Sequence, residues 1–195
     1  SMLENIASRL TDQLYLHCSL APAKKVIYKY GFQLSLSTAA SMCSIIILGT
    51  VLGNISSALL FLSVFFFLRL FTGGYHAPTY ARCFLLTNIV YLAVYGLSQG
   101  LVYFRLFAFL PVIALASCVT IILLAPIQNK NHPMSETTYA KNRKVAIGLA
   151  TLETLLLLVL YLWESFHPYI TVPTMSLAAV AVMMLITLKG RRVKQ

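Results

Sequence analysis

The chain has little charge and almost none of it is negative: of 195 residues, 10% are charged, five being Asp or Glu and fifteen Lys or Arg. An ordinary soluble domain is roughly half apolar and about a quarter charged. With 59% hydrophobic residues and a mean hydropathy of +0.81, a chain of this length has too little polar surface to stay dispersed in water, which excludes a water-soluble globule. Cysteine is sparse as well. Cys18, Cys43, Cys83 and Cys118 stand far apart, with no CxxC pair and no Cys/His cluster at zinc spacing, so neither a disulfide framework nor a metal site is expected. Residues 1–30 lack the short apolar core of a cleavable signal and carry Glu4, Arg9, Asp12, Lys24, Lys25 and Lys29 instead. No repeat, low-complexity tract or appended soluble domain is visible.

What the chain does have is long apolar runs. A bilayer core of about 30 Å takes around 20 apolar residues per helical crossing. Six stretches qualify, approximately 33–52, 55–70, 84–103, 106–124, 145–163 and 170–188; the second is short and open to extension into the loop after it. Upstream, Leu3, Ile6, Ala7, Leu10 and Leu14 recur at helical spacing while Glu4, Arg9, Asp12 and Gln13 fall elsewhere. That pattern describes an amphipathic helix lying on the membrane, or equally a surface helix packed on the bundle. The expected fold is therefore an all-α membrane protein: one integral-membrane domain over 1–195, with an interfacial cytoplasmic helix in 1–30 and a six-span bundle over 33–188.

The basic residues orient the bundle. Arg9, Lys24, Lys25 and Lys29 precede the first span, and Arg69 and Arg82 flank the link between spans two and three. Lys130, Lys141, Arg143 and Lys144 lie between spans four and five, and Lys189, Arg191, Arg192 and Lys194 follow the last. The intervening turns hold only Arg105. Fourteen against one predicts that both termini are cytoplasmic, with the positive face beside anionic lipid or an acidic partner.

The stretch from Arg69 to Cys83 holds the chain's single Gly-Gly, with His76 and Pro78 between it and the cysteine. In one continuous helix, His76 and Cys83 would share a face but lie about 10 Å apart along the axis. Proton transfer therefore needs a broken backbone. Gly73 and Gly74 permit the break, and Pro78 suits the first turn of a new helix carrying Cys83. An imidazole folded back toward the thiol, with Arg82 adjacent, would favour the nucleophilic thiolate. By spacing alone, a loop histidine and a small buried cysteine remain the commoner explanation.

Arg69, Gly74, His76 and Cys83, in that order and spacing near the cytoplasmic end of a span, resemble the motif of the AgrB family, accessory gene regulator protein B of Gram-positive quorum sensing. His76-Ala77-Pro78 reads like the family's tripeptide, and Gly31-Phe32-Gln33 opens the first span as in the family. Ala125-Pro126, Lys130, Pro133 and the cluster Lys141 to Lys144 look like a less basic version of its linker. The resemblance implies a multi-pass cysteine endopeptidase of the cell membrane that cleaves the C-terminal tail from an AgrD-like propeptide and promotes thiolactone or lactone closure. It makes Cys83 the nucleophile and His76 the base, implies a homodimer, and calls for neither cofactor nor nucleic acid. The rival readings are hydrolysis without cyclisation, and a small peptide transporter or non-catalytic scaffold in which His76 and Cys83 are incidental.

The supporting residues are less determined. Gln33, Ser37, Ser41 and Ser44 form one polar face on span one, which makes Gln33 a candidate for orienting the imidazole, although such stripes more often serve helix packing. Thr87, Tyr91, Tyr95 and Ser98 continue the face of Cys83 as a groove lining or, more simply, as polar glue. Arg69 is placed to brace the loop or meet an acidic peptide tail, and Gly74 to let the loop turn. Glu153, in mid-span, is explained by one hydrogen bond to a neighbouring helix. His17, His132 and His167 read as surface or interfacial, and Cys18, Cys43 and Cys118 as packing residues.

Overall fold

The computed structural model describes residues 2–17, 25–73, 80–128 and 134–192. Those residues are helical almost throughout and contain no strand, the one β-type pairing being an isolated parallel bridge between Gly73 and Ile127. Helix α1 spans Met2–His17, α2 Lys25–Val51, α3 Ile55–Phe61 and α4 Phe67–Thr72, with a π-helical turn, Leu62–Phe66, joining the last two. The chain continues through α5 (Tyr80–Tyr103), α6 (Leu110–Leu124), α7 (Glu136–Tyr161) and α8 (His167–Arg192).

Six helical stretches are long and apolar enough to cross a membrane: 31–51, 55–72, 81–103, 107–124, 136–161 and 164–189. The protein is thus multi-pass, as expected. The second span does extend past residue 70, as far as Thr72, where Gly73 ends it. The fifth helix starts at Glu136, well ahead of the apolar run, because Ser135 caps it by accepting the Thr138 amide at 3.3 Å and Glu136 sits in its first turn. Lys141, Arg143 and Lys144 therefore stand on a helix rather than in a connecting loop. Successive spans run in opposite directions, so Lys25, Lys29, Arg82, Lys141, Lys144 and Lys189 collect at one end and Arg105 at the other.

Spans two and six form the centre. Half of the last span and 44% of the second are buried, against 22–28% of the other four, whose outer surfaces carry side chains such as Leu123 and Leu152. That is the pattern of helices facing lipid. Inside, Phe61 stacks on Phe65 at 4.7 Å and meets the tilted ring of fully buried Tyr91 at 5.3 Å. Small and hydroxylic residues bring the backbones close, as is usual where lipid removes the hydrophobic drive between helices. Gly49 is an instance: a Cβ there would lie 2.5 Å from the Ala58 Cβ and 3.2 Å from the Tyr91 hydroxyl.

Helix α1 packs on α2, with Ala7 and Thr11 buried, Tyr15 edge-on to Tyr28 at 6.4 Å, and Asp12 2.7 Å from Lys25. The Asp12 carboxylate, through its hydrogen bond first and its charge second, holds the Lys25 ammonium above its ordinary 10.5.

Candidate active site

Arg69 occupies the last turn of α4 and Cys83 the first turn of α5. Both residues lie at the same end of the bundle, on successive spans. Arg69 is half-buried, donating from Nη1 to Met183 Sδ of α8 at 3.3 Å and lying 5.6 Å from the Phe65 ring centre. A cation in this position also faces the negative end of its own helix. Met183 was invisible to sequence reasoning, since nothing local links residues so far apart. The π-helical turn immediately before α4 lies next to this residue; such turns are frequent near functional sites.

Cys83 is half-buried, and its carbonyl accepts the Thr87 hydroxyl at 2.8 Å. Cys118 is packed in the core, as expected. Cys43 faces outward from α2, contrary to a packing role within the chain, because its helix turns only the Ser37–Ser41–Ile45 stripe inward. Gly74 and His76 lie outside the described residues, as do Cys18 and His132.

Gln33 is half-buried and engaged in an interaction of its own. The Ser44 hydroxyl donates to Asn88 Oδ1 at 2.7 Å, which sets the register of the parallel helices α2 and α5. Counting back from that bond puts Gln33 about 9 Å nearer the basic end than Cys83. The polar faces of spans one and three serve packing: Ser37, Ser41, Thr87 and Ser98 are buried, and Tyr91 bonds Ser57 at 2.8 Å. Asn88, the residue that clasps the two helices, was not singled out from sequence because it sits one position off the Cys83 face. Glu153 is half-buried, with its Oε2 unpaired among the described residues. It stands about 15 Å along α7 from Arg143, away from the basic end. His167 stacks on Tyr161 at 4.5 Å with Nε2 2.9 Å from that residue's carbonyl oxygen, fastening the opposite end.

The break after α4 has a definite form. Gly73 adopts φ 64°, ψ −149°, a combination L side chains rarely reach. A Cβ there would fall 2.4 Å from the Ile127 carbonyl oxygen. The Ile127 amide donates to the Thr72 carbonyl at 2.9 Å, satisfying an orphan carbonyl at the end of α4. Arg143 Nη1 in turn donates to the Ala125 carbonyl, just past α6, at 2.7 Å. Within the basic cluster, Arg143 is thus turned inward while Lys141 and Lys144 are exposed. Among the described residues, no group of three His, Cys, Asp or Glu is arranged to hold a metal ion.

Residues 4–188 match the family described as Accessory gene regulator B. Two proteins of Clostridium perfringens are similar. AgrB-like protein 2 of strain 13 / type A is 26% identical over 163 residues, covering 81% of this chain and 75% of that protein. An AgrB-like protein of strain SM101 / type A is 24% identical over the same shares. No solved structure matches.

Proposed function

Because the chain belongs to the AgrB family, whose role is in agr quorum-sensing peptide processing, we propose that it is a membrane-embedded cysteine endopeptidase acting on an AgrD-like propeptide. The observation that carries this reading is that Arg69 ends one span and Cys83 begins the next at the basic end of the bundle, with Gly74 and His76 between them in the sequence.

In this reading the Cys83 thiolate attacks the scissile carbonyl carbon. The C–N bond breaks, and His76, having taken the thiol proton, returns it to the departing amine. The N-terminal part of the peptide is left as a thioester on Cys83. A thiol or hydroxyl of the same peptide then attacks that thioester, closing the ring and releasing Cys83. Thioester exchange is nearly balanced whereas hydrolysis is downhill, so ring closure requires that water be kept from the acyl-enzyme. A half-buried cysteine at the edge of an apolar bundle suits that demand. Arg69 supplies a fixed positive charge where the thiolate and the tetrahedral oxyanion carry negative charge. Gln33, displaced toward the basic end, fits contact with substrate or loop better than direct contact with the sulfur.

The same reading makes 1–195 one peptidase domain in the cell membrane of a Gram-positive bacterium, with both termini cytoplasmic and α1 at the interface. The enzyme works as a homodimer, and an acidic propeptide tail meets the exposed lysines. Incubating the protein in liposomes with its propeptide tests the reading by mass spectrometry. Wild type should release the tail and a ring lighter by one water than the linear fragment, and Cys83→Ser and His76→Ala should release neither. Cleavage by Cys83→Ala would refute the mechanism, and a linear product alone would remove the cyclase step.

A further inference from the structure

Two helix ends meet at the basic end of the bundle, and each leaves carbonyls without intrahelical partners. The α4 end is closed by a backbone amide from elsewhere in the chain, Ile127 to Thr72, and the α6 end by the Arg143 guanidinium on Ala125. Ala125, Ile127 and Thr72 are all buried, Ala125 and Thr72 completely. The short stretch 125–127 is thereby clamped on one side by α7 and on the other fixes the point at which the chain leaves α4. From that point it reaches Cys83 within ten residues.

We propose that Arg143 is a positioning residue for the reaction. Through the Ala125 carbonyl and the Ile127 amide it fixes Thr72 and Gly73, and so sets where the end of α4 that carries Arg69 stands relative to the start of α5 that carries Cys83. The proposal rests on the reading of Cys83 as nucleophile. A cationic donor is suited to the place because the last carbonyls of α6 carry the negative end of its dipole. Gly73 completes the device, since any side chain there would strike the Ile127 carbonyl. One residue of the basic cluster is accordingly removed from electrostatic docking and assigned to the geometry of the site.

The test compares Arg143→Met, which keeps the stem and loses charge and donor, with Arg143→Lys, which keeps both. Each is reconstituted in liposomes with the propeptide, alongside Cys83→Ala. Arg143→Met should lower kcat about tenfold or more with KM within about twofold, and Arg143→Lys should recover most of the loss, in line with the worth of a charged hydrogen bond. In a background with Cys18, Cys43 and Cys118 replaced by serine, Arg143→Met should also change the rate at which iodoacetamide alkylates Cys83. Gly73→Ala should act in the same direction; if it fails to fold, the Arg143 pair carries the test alone. The proposal is overturned if Cys83→Ala is inactive while Arg143→Met keeps wild-type kcat and alkylation rate. It is equally overturned if methionine and lysine variants lose activity alike in step with melting temperature. Cleavage by Cys83→Ala would instead sink the functional reading on which it rests.

Discussion

The two ends of the bundle are built by different means. At the end opposite the basic face, each turn is closed by residues close in sequence. Asn54 caps α3 by accepting the Ser57 amide at 3.0 Å, the Asn54 amide returns to the Gly49 carbonyl at 2.8 Å, and His167 reaches back to Tyr161. At the basic end the contacts are distant in sequence: Thr72 with Ile127, Arg143 with Ala125, and Arg69 with Met183. Local closure makes a stable cap. Distant closure lets several helices fix one geometry, which is what a reacting group needs.

That difference can be broken with substitutions that should affect one property and spare the other. The largest effect is expected at Arg69: Arg69→Met should lower kcat for propeptide cleavage about 10²- to 10³-fold, the scale on which losing one oxyanion donor is felt. Thermal unfolding in detergent should change little. Full activity in this variant would divorce the guanidinium from the chemistry. Next is Gly49→Val at the opposite end, where the added side chain must push Ala58 and Tyr91 aside. Overpacking of about 1–3 kcal/mol should appear in the melting curve, with kcat unchanged. Removing the α3 cap with Asn54→Ala should lower stability by about 1 kcal/mol, again without a kinetic effect.

The smallest effect concerns α1. Because Asp12 holds the Lys25 ammonium above 10.5, the pair's contribution to docking α1 is complete below that pH and is lost as the pH rises through the folded value. Asp12→Asn should return the Lys25 titration toward 10.5, and an unchanged titration would show that Asp12 is not its cause. The pair is exposed, so the melting temperature at neutral pH should hardly move.

The same contrast explains what could be read from the sequence. Span number follows from apolar run length and the end of the second span from Gly73, whereas the caps Asn54 and Ser135, the latter starting α7 ahead of its apolar run, were not read from the sequence. The assignment of His76 and Cys83 as a pair came from the order of a family motif; spacing alone left it open. Met183, Ile127 and the inward turn of Arg143 leave no mark in sequence, since each depends on which helices become neighbours after folding. Asn88 was overlooked for a related reason. Its importance comes from Ser44 across the helix interface, not from any pattern on its own helix.

The most direct test of the account is the covalent intermediate. A single-turnover mixture with propeptide, quenched in acid and mapped by mass spectrometry, should show the N-terminal fragment held as a thioester on Cys83, and the Arg69→Met enzyme should form it more slowly. A thioester on Cys18, Cys43 or Cys118, or tail release by Cys83→Ala with no adduct at all, would contradict it.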